Sequence, residues 1–163
     1  MSEQVFPTRL AGALRWLSIG GTLLMVLVIA IAAQHVTGPW WFRSLVLGGP
    51  SVVLLVCVLG WPRGYVLSRD GLHVQRLFGR TRIAQRIDSA AADDDAFKGA
   101  WRVFANGGVF GCVGWFRSRR LGPFRAWVTD LGALVVVRHA AGCAVISPLD
   151  RAAFLAAVSG HNR

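Results

Sequence analysis

Two uncharged apolar runs lie almost back to back in the first third of the chain. Trp16 to Ala33 reads WLSIGGTLLMVLVIAIAA, and Ser44 to Trp61 reads SLVLGGPSVVLLVCVLGW. At 1.5 Å per helical residue each run reaches about 27 Å, close to the hydrocarbon thickness of a bilayer. Neither run carries a polar stripe at helical period, so neither reads as a helix lying in the membrane surface. The expectation is a pair of membrane-spanning helices over residues 16–33 and 44–61. Gly48, Gly49 and Pro50 would weaken a soluble helix but are tolerated in a span. A bend is expected near Pro50. Gly20, Gly21, Gly48 and Gly49 offer flat faces on which the two helices can approach.

The short stretch from Gln34 to Arg43 makes the pair an antiparallel hairpin, with both chain ends on one side. Arg9 and Arg15 precede the first run, and Arg63, Arg69, Arg76, Arg80, Arg82 and Arg86 follow the second. The connecting loop has only Arg43. The positive-inside bias therefore places residues 1–15 and everything after residue 61 in the cytoplasm, as a multi-pass protein of the inner membrane. Trp16, Trp40, Trp41 and Trp61 fall at the ends of the runs, where amphipathic indoles favour the membrane interface. Ala30-Ile31-Ala32 has the small-x-small look of a signal cleavage site. The length of the apolar stretch and the second run just after it argue for a retained span instead.

Composition supports this division. The chain has 163 residues and is 54% hydrophobic, with a net charge of +10. Arginine supplies nearly all of the positive charge, which suits an anionic leaflet, a nucleic acid or an acidic partner. No nucleic-acid module signature is present, and a position beneath an anionic leaflet accounts for the charge more simply. Cys57, Cys112 and Cys143 form no CxxC pair, which points to reduced thiols.

From Gly64 onward the apolar period changes to two. Tyr65 to Ser68, Leu72 to Gln75 and Arg80 to Gln85 read as strands, with Gly71 supplying a positive φ in the first turn. Asp88 to Gly99 reads as a loop or a short helical turn. Phe124 to Thr129, Leu134 to His139 and Cys143 to Ile146 read as an antiparallel meander. Ser147-Pro148-Leu149-Asp150 opens a final helix over about 148–159, with Ser147 as its cap and Gly160 ending it.

Several short strands, a glycine-rich insertion and this closing helix resemble a bacterial pleckstrin-homology-type (PH-like) domain over residues 64–159. The resemblance rests on Tyr65 with Gly71-Leu72, on Asn106-Gly107-Gly108, Gly114-Trp115-Phe116 and Leu121-Gly122, and on Ser147-Pro148-Leu149-Asp150 with Phe154. It implies a bent antiparallel barrel of two sheets capped by the C-terminal helix. It supplies no catalytic residues.

Candidate sites are few. The run VFANGGVFGCVGWF, from Val103 to Phe116, is uncharged, and Arg117, Arg119 and Arg120 come directly after it. One reading dips Phe110, Trp115 or Phe116 into the interface while these arginines, with Arg63 and Arg69, meet lipid headgroups. The favoured reading is an ordinary hairpin whose aromatics are core. Gly108, Gly111 and Gly114 lack the succeeding helix that a nucleotide loop needs. Asp93-Asp94-Asp95 lacks the alternation of a calcium loop and reads as solvated. His35, His73, His139 and His161 have no acid or thiol at catalytic spacing, and no known catalytic or metal motif is present.

The expectation is therefore a non-enzymatic module without cofactor or metal, bound to the bilayer at the cytoplasmic face of a bacterial membrane. It would act as an interaction scaffold toward a membrane or cytoplasmic protein or as a homo-oligomer. Anionic-lipid sensing and service as an accessory subunit of a transporter or enzyme complex are the alternatives.

Overall fold

The computed structural model describes residues 3–107 and 110–161. The chain opens on a short strand, β1 (Gln4–Pro7), which sequence patterning did not distinguish from a tail. Helices α1 (Gly12–His35) and α2 (Trp40–Gly60) come next. The β domain runs through β2 (Gly64–Ser68), β3 (Gly71–Gln75), β4 (Arg80–Ala84), β5 (Ser89–Ala92), β6 (Trp101–Gly107), β7 (Cys112–Ser118), β8 (Gly122–Val128), β9 (Val135–His139) and β10 (Gly142–Ile146). Helix α3 (Arg151–His161) closes the chain.

Both long helices pass the length and hydropathy requirements for crossing a membrane, and the only buried residues on them are Leu14 and Ser18 of α1. A core helix of a soluble domain would bury a full stripe. Each helix begins four residues before the apolar run that announced it. At α1 the start of the helix belongs to the domain: Leu14 in the extra turn and Ser18 just after it are buried, and Leu14 joins a cluster with Phe116, Phe124 and Val128. Helix α2 continues through Pro50, whose missing N–H removes one internal hydrogen bond. A Cβ added at Gly20, Gly48 or Gly49 would meet nothing within 4 Å, so these glycines do not mediate the contact between the helices.

The strands form two sheets. One has the order β1-β2-β3-β4, and the other the order β5-β9-β10-β8-β7-β6. They pack as two mostly antiparallel layers and do not close into the barrel that the resemblance implied. The expected meander also gives way to another arrangement. Strand β10 inserts between β8 and β9, pairing parallel with β8 and antiparallel with β9. The Ala-rich stretch expected as a loop supplies β5, paired with β9. Alternation is invisible in Ser-Ala-Ala-Ala because alanine is neither strongly apolar nor polar.

Tyr65, Leu72 and Val74 of the first sheet meet Trp127, Val137, Ala144 and Ile146 of the second, and Phe154 and Val158 of α3 complete this core. The opposite face of the second sheet is covered by Phe97, Ala96 and the entry to α1. In the β2–β3 turn Gly71 has φ 115°, and a Cβ there would lie 2.1 Å from the Ala84 carbonyl oxygen. The sequence expectation of a positive φ at Gly71 is met, and close packing adds a second reason for glycine.

The end of the chain differs from expectation in one detail. Asp150, not Ser147, caps α3, accepting the Ala153 N–H at 2.9 Å. Ser147 is buried and serves the strands instead. Its Oγ accepts the N–H groups of Thr129 at 2.8 Å and Asp130 at 3.2 Å. Gly160 lies within the helix rather than beyond it.

Candidate functional site

The hairpin leaves the β domain and returns to it at one place. Strand β1, just before α1, pairs antiparallel with β2, just after α2, in the register Gln4↔Leu67 to Pro7↔Gly64. Thr8 extends the pairing: its N–H donates to the Arg63 carbonyl at 3.2 Å and its hydroxyl to the Pro62 carbonyl at 2.8 Å. Ala11 N–H then donates to the Thr129 carbonyl at 3.2 Å. Phe6 fixes the strand by its edge-on contact with Phe154 of α3, with ring centroids 5.2 Å apart. The hairpin is thus an insertion between two neighbouring strands, and both of its roots are held in the sheet.

The β6–β7 turn meets the same joint. Phe110, at φ 60°, donates its N–H to Ser18 Oγ at 2.8 Å and stacks on Trp61 with centroids 5.5 Å apart. Gly111 permits this path, since a Cβ there would stand 2.6 Å from the Val128 carbonyl oxygen. The Arg63 guanidinium lies over Trp61, 5.8 Å from the ring centroid. Gly108 and the tip beside it lie outside the described residues. Strand β7 starts directly after Gly111 and runs through Gly114, so the segment lacks the helix N-terminus of a nucleotide loop.

The expected interfacial aromatics separate into groups. Trp16, Trp40 and Trp41 are exposed on the helices, and Trp61 sits half-buried at the joint. Trp115 is 48% exposed on the outer part of the second sheet. Phe116 is buried, which corrects its reading as an interface residue. It stacks on Phe124 and meets Phe97 edge-on, at centroid distances of 5.9 and 5.2 Å. Alternation along β7 sends Trp115 and Phe116 to opposite faces, so one of the two had to enter the core.

The arginines also fall apart. Arg63 lies at the joint. Arg69 is in the β2–β3 turn, at the end of β2 remote from Gly64. Arg117, Arg119 and Arg120 occupy the end of β7 and the β7–β8 turn, about 20 Å along the strand from Cys112 and Phe110. Arg120 pairs with Asp93, Arg151 with Asp94 at 2.5 Å, and Lys98 with Asp95 at 2.9 Å. The aspartate run read as solvated is therefore also a set of exposed ion pairs. No group of metal-ligating side chains occurs among the described residues.

An arginine–aromatic contact that sequence reading missed lies on the second sheet. The Arg125 guanidinium lies over the rings of both Trp115 and Trp127, 5.3 and 4.8 Å from their centroids. Arg76 comes just after β3, beside the residue whose carbonyl accepts the Arg63 N–H at 2.8 Å. Burial, and then the charge of Arg125, lower the Arg76 pKa. Neither arginine has an ion-pair partner among the described residues. Arg76 Nε, Trp127 Nε1 and Trp61 Nε1 are buried donors without an acceptor among the described residues. The available signal was an arginine set between apolar residues in the strand Phe124-Arg125-Ala126-Trp127.

Two packed sheets closed by a C-terminal helix, with chemistry confined to arginines and aromatics, define a PH-type domain, a class that is generally non-catalytic. A family model described as bacterial PH domain matches residues 63–162, and the chain belongs to that family. Neither the curated proteins nor the solved structures compared with the chain gave a match.

Proposed function

We propose that the chain is a membrane-anchored PH-like interaction module whose β domain works at the cytoplasmic face. The observation that carries this reading is an uncovered apolar row on the edge strand β6. Val103 and Phe104 are 63% and 82% exposed, and Phe104 pairs in register with the half-exposed Trp115. An unpaired strand edge with large apolar side chains is costly to leave in water and suits a protein partner. The arginine bias around the hairpin supports the cytoplasmic side.

The test compares the purified full chain with its Phe104→Asp variant. Native mass measurement and pull-down should give a self-assembly or a partner with the parent chain, and loss of it with the variant. A monomer without partners in both preparations removes the reading.

Anionic-lipid contact is a second reading, favoured by Arg63 over Trp61 at the hairpin root. Equal association of the reconstituted chain's domain with anionic and neutral surfaces would argue against it.

A further inference from the structure

We propose that the cleft between the turns of residues 94–99 and the β7–β8 turn binds an acidic segment of a partner protein, with Arg119 taking a carboxylate and Trp101 an adjacent apolar side chain. The inference rests on reading the chain as an interaction module, and it gives a partner its chemistry at a place apart from the Phe104 edge. The cleft encloses about 560 Å³ and is lined by Asp95, Lys98, Gly99, Trp101, Arg119 and Arg120. Its walls are tied down by their own ion pairs. Asp93 accepts the Asp95 N–H at 3.1 Å and pairs with Arg120, while Lys98 pairs with Asp95 at 2.9 Å. Gly99, at φ 65°, leaves open space where a Cβ would stand. Arg119 is the lining cation left over, with no ion-pair partner among the described residues. Trp101, 49% exposed, contributes its indole to the same lining.

An acidic peptide suits this lining better than a phosphate polyanion. Asp95 shares the cleft with Arg119, so a dianionic phosphate or a nucleic-acid backbone meets repulsion along with attraction. A carboxylate carries one charge and is matched by one guanidinium fork. A peptide also brings backbone N–H donors that the Asp95 carboxylate can accept. The cleft is too open to hold a small carboxylate by enclosure: the side chains of Lys98 and Asp95 are 79% and 58% exposed. Small-molecule sites bury most of their ligand, whereas a chain segment gathers contacts across an open surface around arginine and tryptophan anchors. Position favours a soluble partner. Trp101 pairs with Arg117, at the end of β7 remote from Cys112 and from the Phe110 contact with the hairpin. The cleft therefore lies at the end of the sheet away from the hairpin root.

The full chain, purified in a neutral detergent, is titrated against three fluorescein-labelled probes and followed by anisotropy. The probes are a peptide of glutamate and leucine, the same peptide with glutamine for glutamate, and a uridine oligonucleotide of the same charge as the first. The expected result is saturable binding of the glutamate peptide, weakened about tenfold or more in the glutamine peptide. Arg119→Glu should weaken the glutamate peptide by a similar factor and should bind a lysine–leucine peptide of the same spacing in its place, an exchange that a merely structural arginine would not give. Trp101→Ala should also weaken binding. Arg86→Gln removes an exposed arginine outside the cleft and should leave binding unchanged. No saturable binding of the glutamate peptide, equal binding of the glutamine peptide, an undiminished affinity in Arg119→Glu, or tighter binding of the oligonucleotide overturns the proposal. Should assembly that depends on Phe104 persist in that case, the interaction module stands and this cleft alone is lost.

Discussion

Ser147 donates its backbone N–H to the phenol oxygen of Tyr65 at 3.0 Å, across 82 residues of chain. The Tyr65 hydroxyl in turn donates to the Trp127 carbonyl, so one side chain of the first sheet joins two strands of the second. Ser147 passes the connection on through its Oγ to the N–H groups of Thr129 and Asp130. This hub lies close to the hairpin root, where Ala11 reaches the Thr129 carbonyl.

Ser147→Ala should therefore destabilise the domain although it removes one atom. Two strand-end N–H groups lose their acceptor in a buried setting, at a cost of about 1–3 kcal/mol. Denaturant unfolding of the full chain in detergent, tracked by tryptophan fluorescence, would measure it. An unchanged midpoint would show that water replaces the hydroxyl.

Tyr65 gives the hub a pH dependence. Burial pushes its pKa up from 10.0 to about 12, against the partial opposition of its hydrogen bonds with Ser147. The folded state thus holds this proton more tightly than the unfolded chain. Its contribution is fully present below pH 10.0 and is lost as pH rises toward about 12. The loss amounts to about 2–3 kcal/mol. Unfolding curves across this range should lose that component in Tyr65→Phe, which has no proton to release.

Gly71→Ala tests the tightest turn. The added Cβ would meet Ala84 backbone in a conformation that L-residues rarely adopt. The expected loss is about 1–3 kcal/mol from strain, before any shift of β4. Gly142→Ala is the control: its φ is 132°, but a Cβ there meets nothing within 4 Å. A smaller loss at Gly142 than at Gly71 would separate packing from backbone strain.

Phe6→Ala should free the N-terminal strand. Phe6 is 9% exposed and packs on Phe154, so truncation costs about 3–5 kcal/mol at that contact. Limited proteolysis should then cleave near Thr8 in the variant and not in the parent chain. Equal resistance would mean that the Thr8 and Ala11 hydrogen bonds alone hold the strand.

Much of this architecture is legible in the sequence because its signals are local. The charge-free runs mark the helices, and the alternation around Tyr65 and Leu72 marks β2 and β3. Other features escape for physical reasons. Gln4–Pro7 has no pattern of its own and becomes a strand only through Phe6 and the edge of β2. The parallel pairing of β10 with β8 is a choice among edges that the turn residues do not encode. Ser147-Pro148-Leu149-Asp150 has the pattern of a helix start, but tertiary contacts take Ser147 and leave the cap to Asp150. The stacking of Arg125 escaped because Trp115 comes opposite it only when β7 pairs with β8.

Thiol labelling of single-cysteine variants in intact cells tests the membrane account most directly. Thr37→Cys lies in the loop between α1 and α2, and Ser159→Cys lies on α3; both positions are exposed. In a background without Cys57, Cys112 and Cys143, a membrane-impermeant maleimide should label position 37 from outside and spare position 159 until the membrane is opened. Labelling of position 159 in intact cells, or release of the protein into the aqueous phase without detergent, would contradict a hairpin that crosses the bilayer and holds the PH-type domain inside.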